Sequence, residues 1–451
     1  MTTFEDLDLS RQLHNAIEDL GFKEPTPIQE KSFSIVRSGK DIVGIAQTGT
    51  GKTFAYMLPI LRDLKFSKQQ HPRVLILVPT RELVLQVVAE IEKLAAYITL
   101  RVLGVYGGTN INTQKQAVAQ GTDIIVATPG RLYDLALSKV LKLKNIQKLV
   151  IDEVDVMLDL GFQFQLLNIF DLLPDRRQNI MFSATMTEDV AILIDDFFKN
   201  PVKISIAVSG TPLDNITQQS YNIVNFYTKV NLLNLLLKDK NEFKKVLIFV
   251  SNKRSADRLF DALDESFTDE ICVIHSNKTQ NYRIRSINQF DQGKNRILVA
   301  TDVMARGLDL NEISHVINFD TPYFPENYMH RIGRTGRAEH QGKTILFSTE
   351  KEQEAKQRIE NLMDFKIPKI DFPSEVEISK QLTEEERPKE DRESSKNRTS
   401  LEYVPGPAFH EKSEKNQKTN LGGSYKREIA RKYKKPQSKG NKSFSKKNKK
   451  G

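Results

Sequence analysis

Eight residues near the start, Ala46 to Thr53 (AQTGTGKT), constrain the chain more than any other stretch. They follow the apolar run Ile42 to Ala46 and precede FAYMLPILRDL, whose apolar residues have helical spacing, so the order is strand, glycine-containing loop, helix. Such a junction points successive backbone N–H groups and the positive end of a helix dipole at one place, and a polyphosphate suits it. Lys52 would then reach the β and γ phosphates and Thr53 would ligate Mg²⁺. A glycine-rich turn without function would leave a lysine and a threonine at the mouth of a helix unexplained. The general pattern has glycine where this chain has Ala46, so by that rule alone the match is one residue short.

Hydrolysis of a phosphoanhydride also needs an acidic pair at a strand end, one group to hold the metal and one to orient water. KLVIDEVD supplies Asp152 and Glu153 directly after an apolar run. Solvated acidic pairs such as Asp195 and Asp196 are common, so this pair gains meaning only beside the loop.

Short apolar runs alternate with helical stretches along most of the chain. The runs are Ile42–Ala46, Val74–Val78, Val102–Tyr106, Asp123–Ala127, Leu149–Asp152, Ile180–Ser183, Lys203–Ile206, Tyr221–Val224, Val246–Val250, Ile271–Ile274, Ile297–Ala300, His315–Asn318 and Thr344–Phe347. Near-continuous apolar strands separated by helices imply parallel sheets covered on both faces. The turn-rich VSGTPLDN interrupts the pattern. We therefore expect an α/β protein with a first domain over 1–207, a linker over 208–216, a second domain over 217–365 and a disordered, lysine-rich tail over 366–451.

The net charge of +9 belongs to that tail. Residues 411–451 hold 15 Lys and Arg against 3 Glu, whereas residues 1–410 hold 52 basic and 55 acidic residues. A basic tail on a slightly acidic body suggests tethering to a polyanion. No apolar run approaches the roughly 18 residues that cross a bilayer, the acidic start MTTFEDLDLS is unlike an export signal, and the single Cys272 lies in the apolar run ICVI. A cytoplasmic protein with a buried, unpaired cysteine is expected.

Taken in order, these motifs resemble the DEAD-box ATP-dependent RNA helicase family, from Phe4 to about Arg337. GFKEPTPIQ matches the adenine-reading element, and AQTGTGKT matches the phosphate loop with the alanine usual for the family. PTREL, the doublet Gly107–Gly108 and TPGR match strand-binding elements, followed by SAT and, in the second half, LIFVSN, ATDVMARGLD and HRIGRTGR. Two positions depart. The naming motif reads Asp152-Glu153-Val154-Asp155 with valine for alanine, and Ser276 follows His275 where glycine is usual.

The resemblance implies two tandem RecA-like domains sharing one ATP site, with ATP and Mg²⁺ as cofactors and RNA as partner. Gln29 would read adenine, and Phe22 with Phe4 would pack near the base, simple core packing explaining both phenylalanines equally well. Ala46, Gln47, Thr48, Gly49, Thr50, Gly51, Lys52 and Thr53 would hold the phosphates, with Gly307 and Asp309 closing from the second domain. Thr53 and Asp152 would hold Mg²⁺, Glu153 would polarise water, and Arg334 and Arg337 would serve as arginine fingers. RNA would meet Pro79, Thr80, Arg81, Gly108, Thr128, Pro129 and Arg131 in the first domain. Gln280, Arg283 and Thr301 would meet it in the second. Asp155, Ser183, Thr185 and His330 would couple the two events, with Asp155 and Ser183 bonded to each other; a purely structural bond between that pair and plain packing of His330 are the alternatives. An ATP-gated RNA clamp uses the same residues, and a DNA helicase is the lesser rival.

Overall fold

The computed structural model describes residues 3–46, 49–206, 215–305, 310, 312–336 and 341–387. Seven strands build the first sheet: β1 (Ile42–Ile45), β2 (Val74–Leu77), β3 (Val102–Val105), β4 (Ile124–Ala127), β5 (Lys148–Asp152), β6 (Gln178–Ser183) and β7 (Val202–Ser205). Six build the second: β8 (Ile216–Asn222), β9 (Val246–Val250), β10 (Ile271–Ile274), β11 (Ile297–Thr301), β12 (His315–Asn318) and β13 (Gly342–Ser348). All pair in parallel, in the orders β3-β4-β2-β5-β6-β1-β7 and β10-β11-β9-β12-β13-β8.

The strand sequences explain the layering. Along β2, Val74 and Ile76 pack into one apolar cluster and Leu75 and Leu77 into another, so each face of the sheet is covered by its own helices. Strand β9 repeats this, with Val246, Ile248 and Val250 on one side and Leu247 and Phe249 on the other. In open parallel sheets ligands sit outside the carboxyl ends of the strands. There the first sheet carries the glycine-containing loop after β1, Asp152 at the end of β5 and Ser183 at the end of β6.

Two expectations need correction. Strand β8 begins five residues before the expected Tyr221, because its sequence ITQQSYN alternates in burial along a sheet edge and lacks an apolar run. The second domain also does not end at 365. The Ser220 N–H donates to the Pro368 carbonyl and the Ile370 N–H to the Ser220 carbonyl, while Ile367 and Val376 are buried. Glu386 then accepts from the Phe226 N–H at 2.7 Å, capping the helix Phe226–Leu237. Residues 366–386 thus wrap the second sheet through backbone bonds, which no apolar periodicity announces. The expected tail from 388 onward, and linker residues 208–214, lie outside the described residues.

Cys272 is buried in β10, and burial pushes its thiol up to about 12, in keeping with a packing role. Val154 is fully buried in the core, and Ser276 is exposed beside a His275 whose Nε2 lies 2.8 Å from Asp257 Oδ1.

Candidate active site

The phosphate loop turns through two left-handed glycines, Gly49 at φ +86° and Gly51 at φ +83°. A side chain on Gly51 would be strained there, and its Cβ would fall 2.3 Å from Gln29 Nε2. The helix Lys52–Asp63 starts directly after it. Lys52 is buried at the helix start, and its Nζ has no hydrogen-bond partner among the described residues. Its ion-pair partner is Asp152, with Oδ1 3.8 Å away.

Strand β5 delivers the acids. Glu153 takes a left-handed conformation, φ 54° and ψ 48°, a strain of about 1–3 kcal/mol for a residue with a side chain. This turn lets the Glu153 N–H donate to Asp152 Oδ1 at 2.9 Å. Burial lifts the Asp152 carboxyl to about 6, with the Lys52 cation pulling it down and Glu153 pushing it up. Glu153 is buried too, and its Oε2 lacks a partner among the described residues. A buried ammonium at a helix start and a buried carboxylate oxygen, neither hydrogen-bonded among the described residues, suit a phosphate chain with its metal. No cluster of three or more His, Cys, Asp or Glu that could hold a metal ion occurs among the described residues.

Gln29 lies in the first turn of the helix Pro27–Arg37. Its Oε1 accepts from the Thr26 N–H at 3.0 Å and its Nε2 donates to the Gly51 carbonyl at 3.2 Å, while the Thr26 hydroxyl donates to the Thr50 carbonyl at 2.8 Å. Phe22 is half exposed with its ring edge-on to Phe54, whereas Phe4 is core.

The expected bond between Asp155 and Ser183 is not made. Asp155 Oδ2 instead accepts from the Thr185 N–H and hydroxyl at 2.9 and 2.8 Å, and the Ser183 hydroxyl donates to the Thr185 carbonyl. The turn after β6 carries Thr185 onto the acid, leaving Ser183 to hold the turn. His330, from the second sheet's helix Pro325–Ile332, places Nε2 3.5 Å from the same Asp155 oxygen. Burial works against the Asp155 charge, but the His330 contact, the Lys52 cation and the Thr185 hydroxyl hold its carboxyl well below the usual range.

Arg334 follows that helix, buried beside Phe249, Asp302 and His330. Arg331 is sequestered: Asp302 takes its Nε and Nη2 at 2.5 and 2.8 Å, Asn318 and the Asp320 carbonyl take Nη1, and the cation lies 5.1 Å from the Phe249 ring centre. The basic residues of HRIGRTGR therefore divide between roles. Gln47, Thr48, Gly307, Asp309 and Arg337 lie outside the described residues.

A family profile described as DEAD/DEAH box helicase matches residues 26–193, and one described as helicase conserved C-terminal domain matches residues 228–339. The DEAD-box ATP-dependent RNA helicase CshA of Bacillus cereus is 40% identical over 375 residues, covering 83% of this chain and 70% of that protein. The chain belongs to the DEAD-box helicase family. CshA of Geobacillus kaustophilus is 38% identical, covering 83% of this chain and 79% of its own. Among solved structures, Saccharomyces cerevisiae Dbp5 bound to RNA and ADP BeF3 superposes with a TM-score of 0.75 at 26% identity, covering 82% of this chain and 96% of that one. Mss116p bound to ssRNA and AMP-PNP gives 0.76 at 28% identity, covering 83% and 81%.

In this DEAD-box chain the residues expected to meet RNA fall into two groups. Thr80 caps the helix Arg81–Leu94 after Pro79, and Arg81 stacks on Tyr106 at 4.4 Å, close to Gly108. Thr128 and Pro129 start the helix Pro129–Leu137, where Arg131 donates to Gln114 Oε1 at 2.8 Å and to the Thr109 carbonyl at 2.9 Å. Gln280 and Arg283 belong to the first turn of the helix Gln280–Asp291, and Thr301 ends β11. Across the seam, Gln280 Nε2 donates to Glu82 Oε1 at 2.9 Å and Arg283 Nη2 lies 3.3 Å from the same oxygen. The motif PTREL holds Glu82, yet nothing in the spacing marks it as a partner of the second sheet.

Proposed function

We propose that the chain couples RNA-stimulated ATP hydrolysis to local, sequence-independent strand separation or remodelling of RNA. The observation that carries the reading is the meeting of Asp155 with His330, which brings the HRIGRTGR helix of the second sheet to the acids of the first. Half the site lies on each lobe, so hydrolysis is competent only when the lobes close on RNA and ATP together.

Lys52 and the loop amides bind the phosphates, and Gln29 and Phe22 take the base. Thr53 and Asp152 would hold Mg²⁺, which neutralises phosphate charge and orients the chain of oxygens when bound. Glu153 orients the attacking water and accepts its proton, and Arg334 with Arg337 faces the charge that spreads over the transferred group. The groups offered to RNA are hydroxyls, backbone amides and arginines, which suit phosphate and 2′-OH recognition without base reading. A strand bent across both lobes cannot stay in an A-form duplex. ATPase assays with RNA, DNA or neither, beside separation of a short duplex, test this reading. RNA-specific stimulation with strand separation is expected, and equal stimulation by DNA would overturn it. No described helix is long and apolar enough to cross a membrane, and we place the chain in the cytoplasm.

Two further outcomes are expected. Gln29→Ala should lose discrimination between ATP and GTP, measured as the ratio of their kcat/KM values; an unchanged ratio would remove Gln29 from base reading. The segment after Arg387, in which Tyr403, Phe409, Tyr425, Tyr433 and Phe444 are interspersed among lysines, should add stacking and phosphate neutralisation. If it engages about five phosphates, log affinity falls against log salt with slope about −3.5, so a fourfold salt increase costs about a hundredfold. Ending the chain after Arg387 should flatten that slope, as read in RNA binding at several salt concentrations. The cut falls after Glu386 because that residue caps a helix.

A further inference from the structure

Tyr56 lies on the helix Lys52–Asp63, one turn beyond Lys52, fully buried with its ring against Phe182 at 5.7 Å. A tyrosine enclosed this way needs a partner for its hydroxyl. The partner is Asp152: the hydroxyl donates to Oδ2 at 3.3 Å, while Oδ1 takes the Glu153 N–H and faces Lys52. Phenylalanine would fill the same space with the same ring contacts, so the oxygen has a purpose that packing does not supply. Its neighbours are groups of one site.

We infer that the Tyr56 hydroxyl is a positioning group that fixes the Asp152 carboxylate for the Mg²⁺ that accompanies the nucleotide. The inference rests on the site reading above. A carboxylate with one oxygen held by a backbone N–H can still rotate out of plane about its Cβ–Cγ bond. A second donor on the other oxygen opposes that rotation. Loss of such outer partners typically costs about 10- to 100-fold in metal affinity or activity.

The test uses the full chain and a fluorescent, non-hydrolysable ATP analogue, titrated in EDTA and then with Mg²⁺. Tyr56→Phe should raise the Mg²⁺ concentration needed for half-maximal tightening by about 10-fold or more, with affinity in EDTA within twofold of the parent and an unchanged thermal midpoint. Asp152→Asn serves as the reference and should show an equal or larger shift. A Tyr56→Phe protein with the parental Mg²⁺ dependence, beside a shifted Asp152→Asn, would overturn the inference alone. An unshifted Asp152→Asn would overturn the metal assignment and the inference with it. Equal weakening of Tyr56→Phe with and without Mg²⁺, together with a lowered thermal midpoint, would show a structural tyrosine and would also overturn it.

Discussion

Replacing Glu153 with Gln should lower RNA-stimulated phosphate release by about 10² to 10⁴, the usual contribution of a positioned general base. The amide keeps the shape of the side chain and its place in the left-handed turn at φ 54°, so the fold and the contact between the Glu153 N–H and Asp152 remain. What disappears is the proton acceptor, whose Oε2 is buried without a partner among the described residues. ATP and RNA should still bind, and a closed complex should accumulate, seen as ATP-dependent retention of labelled RNA. Turnover near the parental rate would remove Glu153 from the chemistry, and loss of ATP binding would mark it as structural.

Arg334→Lys is the second large effect. A guanidinium offers a planar fork to phosphoryl oxygens, and a lysine offers a point charge on a flexible stem. Arginine fingers in related nucleotidases are worth about 10³ to 10⁵ in rate, so single-turnover hydrolysis with saturating RNA should fall by about 10³. Arg334 is buried beside His330 and Asp302, and a packing role would show instead as a lowered thermal midpoint with hydrolysis retained. Comparison with Arg331→Lys sharpens the outcome. Arg331 is bonded to Asp302, Asn318 and the Asp320 carbonyl, so its replacement should lower the thermal midpoint of the second lobe.

The strand pattern and the phosphate loop could be read from residues because each depends on local order. A buried parallel strand is an apolar run wherever it occurs, and a loop with Gly49, Gly51 and Lys52 before a helix has little other use. What could not be read depends on how turns aim side chains. Asp155 bonds Thr185 because the three residues after β6 curl back, and nothing in SAT says which hydroxyl will face the acid. The pairing of Glu82 with Gln280 and Arg283 joins residues about two hundred positions apart on different sheets. The segment 366–386 is hard to read for another reason: its apolar residues Ile367, Ile370, Phe372 and Val376 are spaced without strand or helix period, and carbonyls and caps hold the chain between them.

Gln29 ties the start of the helix Pro27–Arg37 to the loop after β1. Both ends of its amide are engaged, one on Thr26 and one on the Gly51 carbonyl of the phosphate loop. If it reads adenine as proposed, it must share or release one of those bonds, so identifying the base would also tension the loop. A purine of the wrong pattern would leave the loop's grip altered even though it touches no phosphate. On the proposed reading, a change at Gln29 made to alter base choice should therefore also alter the hold on the phosphates.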